Sequence, residues 1–190
     1  MKNKSLSILC AIIILCFCFA QCKKTNTPDT PKTELEKLPP ITQTGANTFG
    51  CLVDGVAWLP NGSKPQTGGP NIQVYVDPTF QEGAFYITGY QYNGQYQFVS
   101  IGSYKCTNSG FFSSDSSSNN FGCKRTIYGG MSIEIRTPEN GFYRKGNFII
   151  SRYDLINGIF SGTFDVKLYK NDGTFGDTIR ITNGRFDVKL

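Results

Sequence analysis

The chain ends on Ile179-Arg180-Ile181-Thr182-Asn183-Gly184-Arg185-Phe186-Asp187-Val188-Lys189-Leu190, and its alternation of apolar and polar residues is that of a β-strand with one face buried. The apolar positions are odd at first (Ile179, Ile181) and even afterwards (Phe186, Val188, Leu190). Strand side chains repeat every second residue, so a change of parity marks either a turn or an extra residue. A two-residue turn at Asn183-Gly184 pairs Ile181 with Phe186 and Ile179 with Val188, which puts all four on one face. A β-bulge at Gly184 restores the parity as well. Upstream, Phe160, Gly162, Phe164, Val166 and Leu168 alternate with Ser161, Thr163, Asp165 and Lys167, the pattern of an antiparallel strand packed on one side. Gly162-Thr163-Phe164-Asp165-Val166-Lys167-Leu168 nearly recurs as Gly184-Arg185-Phe186-Asp187-Val188-Lys189-Leu190, but two copies do not make a solenoid.

The same grammar extends back along the chain. Asn-Gly or Asp-Gly recurs at Asp54, Asn61, Asn93, Asn140, Asn157, Asp172 and Asn183, and such pairs tolerate the positive φ of hairpin turns. Among 190 residues there are 21 glycines, 15 phenylalanines and 10 tyrosines against one tryptophan and two methionines, which suits short half-buried strands joined by tight turns. No period-3.6 apolar stripe long enough for a helix follows the N-terminal segment, and residues 107–120, rich in Ser, Asn and Gly, read as a loop. The expected fold is all-β, an antiparallel β-sandwich or barrel-like meander of hairpins, with residues 47–190 as one domain. That length suffices to bury around two thirds of the unfolded surface.

The N-terminus carries an address. Lys2 and Lys4 precede an apolar run from Leu6 to Phe19, which is shorter than the ~20 residues that span a bilayer and reads as a secretory signal peptide. Phe19-Ala20-Gln21-Cys22 resembles a bacterial lipobox, with cleavage before Cys22 and the lipid on that cysteine; ordinary cleavage after Ala20 is the alternative. Residues 1–21 are thus expected to leave. Residues 22–46, with Lys23, Lys24, Pro28, Pro31, Pro39 and Pro40, read as a lipidated Cys and flexible, disordered tether. The place implied is the outer membrane, lipid-anchored, with the periplasmic face favoured because Lys23-Lys24 differs from an acidic surface-export signal.

Composition removes several function classes. Histidine is absent, which excludes Ser-His-Asp and Cys-His catalysis and His-ligated metal. The net charge of +5 falls to +3 once Lys2 and Lys4 leave, too mild for a nucleic-acid partner. There is no C-x-x-C and so no structural zinc site, and Asn171-Asp172-Gly173 with Asp177 lacks the spacing and ligand number of a calcium loop. No cofactor motif is present. Carboxylate catalysis would need two acids facing across a cleft, and Glu82, Glu134 and Glu139 read as strand or turn residues, so no catalytic residue is assigned. Of the cysteines beyond Cys22, Cys51 reads as a small buried hydrophobe, whereas Cys106 and Cys123 are spaced to form a disulfide across the loop between them.

Thr42-Gln43-Thr44-Gly45-Ala46-Asn47-Thr48-Phe49-Gly50-Cys51-Leu52-Val53-Asp54-Gly55, with Trp58, resembles the opening of a family of Bacteroidota outer-membrane lipoproteins of unknown function. Ile159–Phe164 and Ile181–Val188 resemble its closing segments. The resemblance implies an envelope location and a β fold, and carries no catalytic residues.

One candidate surface remains. With a turn at Asn93-Gly94, Tyr92 pairs with Gln95, Tyr90 with Gln97 and Thr88 with Val99, and Phe85, Ile87, Gly89, Tyr96 and Phe98 form the core face. Tyr86, Tyr90, Tyr92, Gln95 and Gln97 are then an outward strip. Tyrosine offers an apolar ring face with a polar tip, and glutamine both donor and acceptor, a combination suited to a sugar ring; cross-strand tyrosine pairs that merely stabilise the sheet are the structural alternative. The expected function is a non-catalytic binding or accessory module anchored to the membrane by lipid and taking a glycan or small ligand. A structural or protein-interaction lipoprotein docking another envelope protein is the second reading, and a carboxylate-dependent hydrolase a distant third.

Overall fold

In the computed structural model, eleven strands among the described residues build two antiparallel sheets stacked on a common core. The structure describes residues 32–62, 69–92, 96–113, 119–126, 132–137, 142–170 and 178–190, without the side chains of 113–144 and 170. The strands are β1 (Thr48–Val53), β2 (Val56–Trp58), β3 (Ile72–Asp77), β4 (Ala84–Gln91), β5 (Gln97–Ser103), β6 (Gly110–Ser113), β7 (Asn119–Thr126), β8 (Ser132–Thr137), β9 (Phe142–Asp154), β10 (Ile159–Lys170) and β11 (Thr178–Lys189). Their order is β2-β1-β11-β10-β9-β6 in one sheet and β3-β4-β5-β7-β8 in the other. The fold is a β-sandwich.

The inner faces follow the alternation. Phe49, Cys51 and Val53 on β1, Phe160, Phe164, Val166 and Leu168 on β10, and Ile179, Ile181, Phe186 and Val188 on β11 meet Phe85, Ile87, Val99 and Ile101 of the second sheet. Phe85 bridges the two layers, its ring 6.0 Å from that of Phe160 and 5.7 Å from that of Phe186. Completely buried rings of this kind dominate the burial term that offsets chain entropy.

Asp54-Gly55 makes the two-residue turn expected of it, with φ of 49° and 86° and Val53 opposite Val56, and Asn157-Gly158 lies in the β9–β10 turn between Asp154 and Ile159. The Asn93, Asn140 and Asp172 pairs lie outside the described residues. Asn183-Gly184 is not a turn. β11 runs straight through it, and the pairing to β10 shifts between Phe164↔Gly184 and Val166↔Ile181. Asn183, at φ 52°, is the extra residue of a bulge, and its amide donates to Asp165 Oδ1 at 2.8 Å. The bulge wins because β1 and β10 already flank β11 on both sides, so a hairpin would remove one of its neighbours.

A second correction concerns the tether. Thr33–Leu190 is one compact unit, so the folded domain begins well before Asn47. Residues 33–47 form a strap across the outer face of the β1–β11–β10 sheet. Glu34 Oε2 accepts from the Ala57 amide at 2.8 Å, and Pro39 lies against Gly50 and receives Arg185 Nη1 on its carbonyl at 3.2 Å. Arg152 Nη1 donates to Gln43 O at 2.5 Å. At the end of the strap Asp187, 1% exposed, accepts from Thr42 Oγ1 (2.6 Å), Thr44 N (2.9 Å), Thr44 Oγ1 (3.3 Å), Gly45 N (2.8 Å), Ala46 N (3.2 Å) and Ser161 Oγ (2.7 Å). Gly45 has φ +76°, and a Cβ there would lie 2.9 Å from Lys189 Cβ, so the loop needs glycine to close on the carboxylate. Asn47, at φ 56°, then accepts the Lys189 amide at 2.9 Å. Burial alone would raise the Asp187 carboxyl; the hydroxyls of Thr42 and Ser161 and the amides of Thr44 and Gly45 more than offset it and hold the group well below the usual carboxylate range. A proline-containing, polar segment thus becomes ordered through backbone and side-chain contacts along its length, with a buried anion collecting the donors at its end.

Candidate functional site

The outer face of the β3–β4–β5 layer carries a concentration of exposed and half-buried tyrosine. β4 pairs with β5 as Tyr90↔Phe98, Gly89↔Val99, Thr88↔Ser100 and Tyr86↔Gly102. This register differs by one residue from that of a two-residue turn at Asn93-Gly94, because Gln91 pairs with Gln97 and leaves residues 92–96 between the strands. A one-residue slip exchanges faces on the moving strand. Val99 therefore joins the core, while Phe98 and Tyr96 come to the outer face beside Tyr90. Gln97 falls on the face opposite Tyr90, which removes it from the strip. Gln95 lies outside the described residues.

Tyr86, Tyr90 and Tyr92 do share the outer face. Tyr90 stacks on Tyr92 and on Tyr96, with 5.9 Å between ring centroids in each pair and 5.8 Å between Tyr92 and Tyr96; Tyr96 continues to Phe98 at 5.9 Å. Tyr90 Oη donates to Gln73 Oε1 at 3.2 Å. Burial, and then the neighbouring Tyr90, push the Tyr92 phenol up, and its hydroxyl is enclosed with no partner among the described residues, a polar group whose pairing would recover free energy.

Four residues along β4 a second aromatic group gathers around Tyr86. Gly102 faces it, and a Cβ at Gly102 would lie 2.3 Å from Tyr86 Cδ1, so the ring fills the space above the glycine. Tyr104 meets Tyr86 edge-on at 5.3 Å, Phe80 meets Tyr104 at 6.2 Å, and Tyr75, opposite Tyr86 on β3, is 6.4 Å away. Two local devices place these rings. Asp77 Oδ1 accepts from Thr79 N, Thr79 Oγ1 and Phe80 N at 2.9, 2.8 and 3.1 Å, a short polar turn that aims Phe80 and whose donors, the Thr79 hydroxyl first, hold the Asp77 carboxyl low. The Cys106 amide donates to Gly83 O at 3.1 Å and pins the segment bearing Tyr104. Sequence patterning misses this group because Tyr104 follows the end of its strand and Phe80 sits in a 3-10 turn, Phe80–Glu82, where period-two alternation does not apply. Between the two groups, Gln73, Thr88 and Ser100 form a polar row, with Thr88 Oγ1 and Ser100 Oγ 2.8 Å apart.

The remaining predicted positions are dispersed. Cys106 is a free, buried thiol, so the disulfide expected with Cys123 is not formed. Cys123 pairs with Val99, which lies opposite Gly89, whereas Cys106 bonds to Gly83. Six residues of β4 separate those two points, about 20 Å, against the ~7 Å between Cα atoms that a disulfide tolerates. Cys106 Sγ donates weakly to Asn108 O at 3.9 Å, and burial pushes the thiol up to about 12. Cys51 is buried in the core, as expected of a small hydrophobe. Glu82 lies 3.6 Å from Lys105 on the surface; Glu134 and Glu139 have no described side chains, and Cys22 lies outside the described residues. Among the described residues no three His, Cys, Asp or Glu side chains gather, and no helix is long and apolar enough to cross a membrane.

No protein-family model, no curated protein and no solved structure matches the chain.

Proposed function

We propose that the protein is a lipid-anchored envelope protein of the Bacteroidota outer-membrane type, held to the periplasmic face through Cys22, and that its β-sandwich is a non-catalytic module binding a glycan or other small neutral ligand on its tyrosine face. The observation that carries this is the stacked Tyr90–Tyr92–Tyr96 group beside Gln73, Thr88 and Ser100. It combines ring faces for apolar C–H surfaces with neutral donors and acceptors for hydroxyls. A protein-interaction lipoprotein is the second reading, favoured by β3, an edge strand with no neighbour on its far side among the described residues.

A thermal-shift screen of the chain against soluble glycans and envelope metabolites tests the proposal, with the Tyr90→Ala/Tyr92→Ala variant alongside. A ligand that binds only the native state raises its midpoint, so a shift in the parent that the variant lacks is the expected result. A panel that shifts neither protein overturns the glycan reading in favour of a protein partner, to be captured by crosslinking in membranes. Loss of labelled-palmitate incorporation on Cys22→Ala tests the anchor independently.

A further inference from the structure

The two aromatic groups on the outer face are parts of one strip. Tyr86 and Tyr90 project from the same side of β4, four residues and therefore about 13 Å apart, and the polar row of Gln73, Thr88 and Ser100 fills the interval. Beside it an open depression of about 380 Å³ is lined by Pro70, Gln73, Tyr75, Tyr86 and Thr88. The face thus reads, along the strand direction, as ring cluster, hydroxyl and amide row, ring cluster. The charges with described side chains lie at one end, at Asp77 beside Tyr75 (3.3 Å from its hydroxyl) and at the Lys105–Glu82 pair, and Gln73, Thr88 and Ser100 between the clusters are uncharged. Tyr86 packs against the sheet over Gly102, and Tyr75 is 50% exposed, so the second cluster presents ring surface to solvent rather than to the core.

We infer that this face binds a linear, neutral oligosaccharide along β4, with the Tyr90–Tyr92–Tyr96 group as one subsite and Tyr86–Tyr104 as a second. This rests on the proposed glycan reading and narrows it: the span exceeds one hexose ring, so a monosaccharide or disaccharide occupies one cluster and a longer chain bridges both. Rings at either end stack on sugar faces, and the row between them exchanges hydrogen bonds with the bridging hydroxyls. A charged glycan finds no ion-pair partner in Gln73, Thr88 or Ser100. Linking two weak contacts on one rigid ligand raises affinity without any new type of contact.

Calorimetric titration of the full chain with β1,4- and α1,4-linked glucose oligosaccharides, from mono- to hexasaccharide, tests the inference. In the series that binds, Kd is expected to fall at least tenfold between disaccharide and tetrasaccharide and to level off beyond it. Tyr104→Ala should abolish that gain, and Tyr104→Phe, which keeps the ring, should retain it. Tyr92→Ala should lose the disaccharide. Equal affinity for short and long chains overturns the two-subsite inference and leaves the single-cluster reading standing, as does a gain with length that survives Tyr104→Ala. No binding in either series overturns this inference, while the glycan reading itself stands or falls with the broader thermal-shift panel.

Discussion

Replacing Asp187 by asparagine isolates the contribution of the strap. The carboxylate is 1% exposed and accepts six hydrogen bonds, three from backbone amides and three from hydroxyls. Asparagine keeps the shape but exchanges one acceptor oxygen for an amino group that points at donors. Oδ2 collects the Thr42 hydroxyl, the Thr44 amide and hydroxyl and the Ala46 amide; Oδ1 collects Gly45 and Ser161. Whichever oxygen the amino group replaces, at least two donors lose their acceptor, and breaking a buried charged network in this way costs about 3–5 kcal/mol. For a domain of this size 1 kcal/mol shifts the midpoint by about 2–4 °C, so the expected fall is roughly 10 °C at pH 7, read by circular dichroism on heating. The pH dependence gives a second reading of the same network. The Asp187 carboxyl is depressed in the folded state, so its stabilisation is fully present above the unfolded value of about 4 and is lost as pH falls through the folded one. The parent should therefore lose midpoint faster than Asp187→Asn below about pH 4, and the gap between them should close. Trypsin should also cut the variant at Lys37 faster than the parent, since that residue lies in the strap. A variant within about 2 °C of the parent at pH 7, or a gap that stays constant on acidification, would refute the assignment of the strap to this carboxylate.

One further substitution and one reaction test the other layer. Gly102→Ala places a Cβ 2.3 Å from Tyr86 Cδ1 and 2.6 Å from Phe85 O; it should cost about 1–3 kcal/mol, with a change in near-ultraviolet dichroism as Tyr86 is displaced, and an unchanged spectrum and midpoint would show that the ring does not sit over the glycine. Cys106, completely buried and with its thiol pushed up to about 12, should resist alkylation at pH 8 in the native protein and react on unfolding; peptide mapping that finds Cys106 modified rapidly in the native state, or joined to Cys123, would contradict its placement.

The sheet grammar was legible wherever it is local. Alternation along Phe160–Leu168 assigns the buried face correctly, because every second residue there packs on the opposite layer, and Asp54-Gly55 folds as its residue types dictate. Legibility stopped where the outcome depends on a partner distant in sequence. Asn183-Gly184 has the composition of a turn, yet β1, more than a hundred residues earlier, pairs alongside β11 and makes the straight, bulged strand the better solution. Asp187 falls on the solvent side of its strand by parity, and nothing local says that Thr42–Ala46 will cover it. The polar, proline-containing composition of residues 33–46 cannot form a core of its own; contacts along its length, ending in donors aimed at one carboxylate, order it instead. On the candidate face, three of the five strip residues could be read from alternation, but the single extra residue in the β4–β5 connection moved Gln97 away and brought Tyr96 and Phe98 in.

The two features so identified lie on opposite sides of the sandwich, and that arrangement has a physical logic. The strap covers the outer face of the β1–β11–β10 layer, so the chain enters the domain at that side and its backbone donors are consumed there. The outer face of the β3–β4–β5 layer carries no such cover among the described residues, and its tyrosines keep part of their surface in solvent. An antiparallel sheet usually leaves one face polar and solvated. Here one sheet has its outer face closed by its own chain around a buried anion, and the other dresses its outer face with aromatic rings that touch mainly one another. Cover is thus spent on the face where the chain arrives. The outer face of the β3–β4–β5 layer stays open among the described residues, as the ligand binding proposed for its tyrosines requires.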